Sequence, residues 1–231
     1  MVAAAELDRA GAYDAWYEIA LGAAAHRIEL RLIETLAALR PGERALDVGC
    51  GTGIYTARLA GQGLEVTGLD RDPEMLAAAR AKAPGARLVE GDATALPFGG
   101  GEFDLAVAVT LFCFLDAAER QAAARELLRV VRPGGRVVVG ELARHSLWAA
   151  ARRIKGWHGS ETWRSAHFTT ARELQGLFRD AGASAVRTRN GLYLPPWNVP
   201  AFVRRAEVIE RLGRPLGALG AAFVVARAEV A

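Results

Sequence analysis

One stretch limits what this chain can fold into: Ala45-Leu-Asp-Val-Gly-Cys-Gly-Thr-Gly-Ile-Tyr55. A short apolar run ends in an acid and then in three glycines at alternate positions, Gly49, Gly51 and Gly53. Amphipathic sequence follows at once. The pattern predicts a buried strand, a tight turn and the first turn of a helix. Glycine has no Cβ, so it takes positive φ and lets a ligand lie against the backbone. A helix start presents unpaired N–H groups and the positive end of its dipole. Such a turn suits an anionic or hydroxyl-rich ligand.

Spacing narrows the ligand. A dinucleotide fingerprint reads G-x-G-x-x-G. Counted from Gly49, it requires glycine at position 54, which is Ile54. The sequence instead reads D-x-G-x-G-x-G from Asp47.

Composition closes off other classes. At 231 residues, with 52% hydrophobic and 24% charged, the chain can bury a full core and does not read as disordered. A net charge of +3 does not suggest a general nucleic-acid binder. The two cysteines, Cys50 and Cys113, make no disulfide framework and fit a reducing cytoplasm. The first nine residues lack the basic and apolar regions of a signal peptide. No uncharged apolar run approaches the roughly 18 residues of a membrane helix.

Along the chain, residues 1–40 read as helical, with Ile28, Leu32, Ile33, Leu36 and Leu39 at helical spacing before Pro41-Gly42. Strands are predicted at 44–48, 64–69, 86–90, 105–110, 136–142, 185–189 and 221–228, with helices between most of them. Asp72-Pro73 opens one helix, as N-cap and first helical residue. Asp116 with Glu119 and Thr170 with Glu173 have capping-box spacing. Arg132-Pro-Gly-Gly135 reads as the turn into the fifth strand, and 201–213 as a helix. The 103–115 run is almost wholly apolar, as a central parallel strand should be. Residues 143–168 depart from the alternation. Arg152, Arg153, Lys155, Trp157, His158, Trp163 and His167 interleave there, a pattern that suits nucleic acid or a membrane surface, a pocket for an acidic or phenolic small molecule, or, the favoured reading, a substrate-covering amphipathic segment with its Arg and Lys reaching to solvent.

The glycine stretch, the run Gly91-Asp-Ala-Thr-Ala-Leu-Pro-Phe98 and the phrase L-L-R-V-V-R-P-G-G-R-V-V-V over 127–139 resemble class I S-adenosylmethionine (SAM)-dependent methyltransferases. They are most similar to the ubiquinone/menaquinone-biosynthesis group with its type 11 methyltransferase domain. The resemblance implies an α/β, Rossmann-like, doubly wound and mostly parallel seven-stranded sheet. One strand would be antiparallel, with helices on both faces and an N-terminal helical cover. Residues 1–40 would be the lid and 41–231 the methyltransferase domain. SAM would be the cofactor and no metal is implied. Asp47, Gly49, Cys50, Gly51 and Gly53 would form the cofactor turn. Asp70 would accept two hydrogen bonds from the ribose diol, with Arg71 and Met75 flanking the adenine. Asp92 and the Ala93 backbone would read the adenine edge, and Val109 and Thr110 would meet the methionine part. Tyr13 and Tyr17 would touch SAM or substrate from the lid; otherwise they form an aromatic face packed on the core. Relatives often place Asn or His after the fourth strand. Here Phe112, Cys113 and Phe114 stand there, which favours an apolar substrate wall at Phe114.

The implied reaction is an in-line displacement at the sulfonium methyl by a small-molecule acceptor. Alignment can supply ~7–11 kcal/mol, and a general base about 10²–10⁴-fold. His145, the first histidine after the fifth strand, is the candidate base. Glu141, at that strand's carboxyl end, is a second candidate and a substrate contact. His26, His158 and His167 are unassigned. Cys/His metal spacing is lacking. Competing readings are a SAM-binding protein without turnover and a nicotinamide-dependent oxidoreductase, the latter disfavoured by Ile54. Nucleic acid is not the expected partner, and the chain is expected to be a monomer or homodimer.

Overall fold

The computed structural model describes residues 9–231, so the part of the helical prediction that falls on residues 1–8 lies outside it. The N-terminal stretch forms two helices, α1 (Arg9–Glu18) and α2 (Ala20–Ala37), where the sequence suggested one continuous region. Ile19 separates them in an extended conformation.

β1 (Arg44–Val48), α3 (Ile54–Gly61), β2 (Glu65–Asp70), α4 (Pro73–Lys82) and β3 (Arg87–Glu90) make two successive parallel β-α-β crossover units. β4 (Phe103–Val109), α5 (Ala117–Val130) and β5 (Val131–Leu142) continue the alternation. α6 (Leu147–Trp157) and α7 (Glu161–Ser165) fill the 143–168 segment. α8 (Ala171–Asp180), β6 (Ala185–Gly191), α9 (Pro200–Arg204), α10 (Ala206–Gly213) and β7 (Phe223–Glu229) complete the chain. The helix expected over 201–213 is thus divided at Arg205.

The seven strands form one sheet in the order β3-β2-β1-β4-β5-β7-β6. All pairings from β3 to β5 are parallel, and β7 runs antiparallel to both β5 and β6. β4 is apolar because both faces are covered. Val107, Leu105 and Val109 meet α2 and α3, while Ala106 and Ala108 meet α5 and α8. The chain steps outward from β1 to β3 and then returns to β4 beside β1. Ligands bind at such a reversal, outside the carboxyl ends of the strands.

The predicted turn at 132–135 lies within β5, as an outward bulge. Phe103 pairs with Val131, and the next pair is Leu105 with Arg136. Gly134 takes φ +77°, and a Cβ on Gly135 would lie 2.5 Å from Val131 Cγ1 and 2.7 Å from the Asp104 carbonyl. Only glycine fits that approach. Just beyond it, Arg136 is buried and grips the Glu43 carboxylate with two hydrogen bonds of 2.6 Å. Its Nε donates to the Ala37 carbonyl at 2.6 Å. This pair fastens the end of α2 to the start of the buried part of β5.

Candidate active site

The glycine turn follows from its local bonding. Gly49, Gly51 and Gly53 all have positive φ, at +70°, +53° and +81°. The N–H groups of Gly49 and Cys50 donate to the Leu69 carbonyl at 2.7 and 3.0 Å, which docks the turn on β2. The three glycines have different tasks. A Cβ on Gly53 would sit 2.9 Å from Ala79 Cα, so this glycine lets α4 pack close. A Cβ on Gly51 would meet nothing within 4 Å, because that side faces an open cleft.

Asp47 lies beneath the turn, 2% exposed, and accepts from Thr56 Oγ1 at 2.6 Å. Burial lifts its carboxyl to about 6, against the Thr56 hydrogen bond. Cys50 is buried beside it, and burial pushes its thiol up. Asp70 bridges two turns: Oδ2 accepts the Gly51 N–H at 2.8 Å and Oδ1 the Asp72 N–H at 2.9 Å. Each carboxylate oxygen has a further lone pair for a ligand hydroxyl.

The cleft holds about 560 Å³ at the carboxyl ends of the first four strands. Gly49, Gly51, Asp70, Arg71, Met75, Asp92, Ala93, Val109 and Thr110 all line it, with Tyr13 above and Phe114 at one wall. Asp92 Oδ1 accepts from both the N–H and the Oγ1 of Thr94, each at 2.7 Å. Those bonds, helped by Arg71, hold its carboxyl below the usual range. The turn after it is held by α5. Glu126 accepts the Leu96 N–H at 2.8 Å, and Arg129 donates to the Phe98 and Leu96 carbonyls. Thr110 takes φ +51°, a strained conformation for a β-branched residue, stabilised by its N–H bond to the Gly140 carbonyl at 2.8 Å.

Other sequence candidates fall elsewhere. Asp47, Cys50 and Gly53 support the turn from below and do not line the cleft. Tyr17 stands behind Tyr13, the two hydroxyls 2.8 Å apart. Glu141 is 1% exposed and faces a second cavity of about 340 Å³. Its carboxylate accepts the Phe112 and Cys113 N–H groups at 2.8 and 3.2 Å, which anchors the turn bearing Phe114. Burial raises it to about 7. His145 is exposed in the turn before α6, lines neither cavity, and its carbonyl accepts the Gly220 N–H.

Sequence reading did not single out Asp14 or Thr52. Asp14 Oδ1 accepts from the fully buried Thr52 Oγ1 at 2.7 Å, and Oδ2 pairs with Lys82. That carboxylate clamps α1 onto the glycine turn and α4. Thr162 and Ser165 of α7 also line the cleft, placing the 143–168 segment at its edge. Among the described residues no group of three or more His, Cys, Asp or Glu is placed to hold a metal ion, and no helix is long and apolar enough to cross a membrane.

A doubly wound sheet with a glycine turn and two carboxylates at its switch point defines a nucleoside-binding α/β protein. The comparisons specify which kind. Residues 46–139 match the family model described as a methyltransferase domain. A demethylmenaquinone methyltransferase of Beutenbergia cavernae is 42% identical over 120 residues, covering 52% of this chain and 48% of that protein. An uncharacterized protein of Mycobacterium bovis is 32% identical over 192 residues, covering 81% and 62%. The matched region therefore spans about half the length of the first of these relatives. Among solved structures, a Thermotoga maritima protein described as a SAM-dependent methyltransferase, "possible histamine N-methyltransferase", aligns with TM-score 0.72 at 24% identity over 96% of each chain. That likeness shows the shared fold.

Proposed function

We propose that this protein transfers the methyl group of SAM to a small-molecule acceptor, and that it works in a reducing cytoplasm, where its two buried cysteines stay free. The observation that carries this reading is the cleft itself: open space beside Gly51, with the Asp70 and Asp92 carboxylates on its wall. Gly49 and Gly51 let the amino-acid end lie on the backbone. Asp70 accepts from the ribose diol, and Met75 and Arg71 flank the base. Asp92 and the Ala93 N–H read the adenine edge, and Val109 and Thr110 hold the methionine end. When bound, SAM supplies an electrophilic methyl on a sulfonium. The protein's share is alignment and exclusion of water. α1 and α2 act as the lid through Tyr13 and the Asp14 clamp, and α7 closes the other edge.

Calorimetric titration with S-adenosylhomocysteine tests the pocket, and a methyl-labelled SAM assay tests transfer. The expected result is saturable one-site binding, lost in Asp70→Ala. No heat with either SAM or S-adenosylhomocysteine would sink the reading.

A further inference from the structure

Two excursions leave the sheet side by side at the end where the cleft lies. Leu142, the last residue of β5, and Gly191, the last of β6, both pair with Phe223 at the start of β7. Residues 143–168 follow the first and 192–222 the second, and each carries apolar side chains on its outer surface. α6 buries Trp148, Ala149 and Gly156 inward. Its other face shows Leu147, Ala150, Ile154 and Trp157, at steps of three and four residues, so they form one stripe along the helix. Trp157 is 82% exposed. Leu212 of α10 and Leu219 beyond it are 71% and 68% exposed, with Leu216 between them on the short turn Arg214–Leu216. The two surfaces meet, because the Gly220 N–H donates to the His145 carbonyl at 2.9 Å and so joins the ends that bear Leu219 and Leu147.

The same two segments are basic. Residues 143–160 hold Arg144, Arg152, Arg153 and Lys155 and no acid, and residues 192–220 hold Arg204, Arg205, Arg211 and Arg214 against Glu207 and Glu210. Eight basic against two acidic side chains is a balance of +6, whereas the whole chain carries +3, so the remainder is net negative. Both acids are engaged. Glu207 takes two 2.6 Å hydrogen bonds from Arg31, and the buried Glu210 accepts the Leu192 and Tyr193 N–H groups at 3.1 and 2.9 Å. Lys155, Arg204, Arg205, Arg211 and Arg214 are exposed, and none forms an ion pair with a described residue. Exposed apolar faces rimmed by charge mark a protein or a membrane contact. Charge and side-chain type choose between the occupants. A second copy would set like charges face to face. Single-stranded nucleic acid is held by aromatic stacking platforms, whereas the outer side chains here are mainly aliphatic. An anionic bilayer satisfies both features, with leucine and tryptophan at the headgroup level and lipid phosphates against the arginines.

We propose that this face seats the protein on an anionic phospholipid bilayer. The contact is peripheral. Leu147, Ile154, Trp157, Leu212, Leu216 and Leu219 enter the headgroup boundary, and Lys155 and the four arginines between 204 and 214 meet lipid phosphates. The negative remainder of the chain faces away from the membrane, so the separation of charge also orients the approach. α6 ends at Trp157 and α7 begins at Glu161, and α7 lines the cleft with Thr162 and Ser165, so the bound face adjoins the cleft's edge. The proposal stands apart from the methyl-transfer reading.

The test uses the full chain and extruded vesicles of phosphatidylglycerol and phosphatidylcholine in equal parts, with pure phosphatidylcholine vesicles beside them. The chain is expected to sediment with the mixed vesicles at low salt, to bind phosphatidylcholine alone about tenfold more weakly, and to detach as salt rises. Arg211→Gln/Arg214→Gln is expected to weaken binding to mixed vesicles about thirtyfold. Trp157→Ala/Leu212→Ala is expected to weaken it about tenfold. Arg80→Gln/Arg125→Gln removes the same charge from exposed sites on α4 and α5 and should bind within about twofold of the wild type. All six side chains are exposed, so thermal melts should be unchanged and lost binding is not lost folding. Tryptophan fluorescence of the wild type should shift to the blue on mixed vesicles, and the shift should shrink in Trp157→Ala. No sedimentation with mixed vesicles at low salt, equal binding to both kinds of vesicle, or an equal loss in the two arginine pairs would overturn the proposal. So would a chain that ignores vesicles and instead binds poly(U), or forms a dimer that Trp157→Ala/Leu212→Ala breaks, since the face would then belong to RNA or to a second copy.

Discussion

At the scale of single residues, the roles of two glycines in one turn can be separated by experiment. Gly51→Ala places a methyl in the open cleft and forces alanine to φ +53°. The backbone cost is about 1–3 kcal/mol. The methyl also occupies ligand space, so affinity for S-adenosylhomocysteine should drop by at least tenfold. Gly53→Ala carries a similar φ cost, and its methyl meets Ala79 Cα and Cβ at 2.9 Å. That clash drives α3 from α4, so thermal stability should suffer more than in Gly51→Ala. Paired calorimetry and thermal melts on the two variants check the division; equal effects on both readouts would refute it. The D-x-G-x-G-x-G pattern named both glycines, because a turn of this kind is written in consecutive residues. It did not distinguish them, because what each Cβ would meet belongs to other elements. The same limit applies to Asp47. Its place in the motif suggested ligand contact, whereas its side chain points down to Thr56, nine residues on.

At the scale of elements, alternation of short apolar runs and capped helices made the sheet legible. Both predicted capping boxes form, with Asp116 and Thr170 each accepting the N–H three residues on. Contacts between elements were not legible. Asp14 and Thr52 are 38 residues apart, and neither sits in a periodic pattern. Arg152 appeared only as one charge among several in an unusual stretch, whereas in the fold its guanidinium lies over the Trp148 and Trp163 rings, 5.2 and 4.9 Å from their centroids. The Asp14 clamp yields a prediction at this scale. Asp14→Ala removes the acceptor for Thr52 and the partner of Lys82, and so frees α1 from the glycine turn. A hydrogen bond to a charged group is worth about 1.5–3 kcal/mol. S-adenosylhomocysteine affinity should therefore weaken roughly tenfold, with faster hydrogen exchange in α1 and little change in β1 or β4. Unaltered affinity together with loosened α1 would mean that the helix docks without serving the cleft.

At the scale of the whole molecule, buried carboxyls set the pH response. Asp47, Glu29 and Glu141 are raised by burial to about 6, 7 and 7. A carboxyl raised in the folded state holds its proton more tightly there than in the unfolded chain, so folding gains as pH falls through the folded value. In the unfolded chain these groups stay ionised down to their ordinary values near 4. His26, lowered to about 4 by burial and then Arg58, and His167, lowered by burial, act the other way. Unfolded histidines take up protons below about 6.5, whereas folded His26 does so only near 4 and folded His167 less readily than when unfolded. Three raised carboxyls outweigh the two histidines between pH 7.5 and 5.5, so folding gains as pH falls over that range. Below about pH 4.5 the trend reverses. Glu43, held below the ordinary range because Arg136 outweighs its burial, then begins to lose its pairing. Urea titrations across this range should show the midpoint highest between about pH 4.5 and 5.5, and Glu141→Gln should flatten the slope above 6. A midpoint that climbs steadily to pH 8 would contradict the burial of these acids.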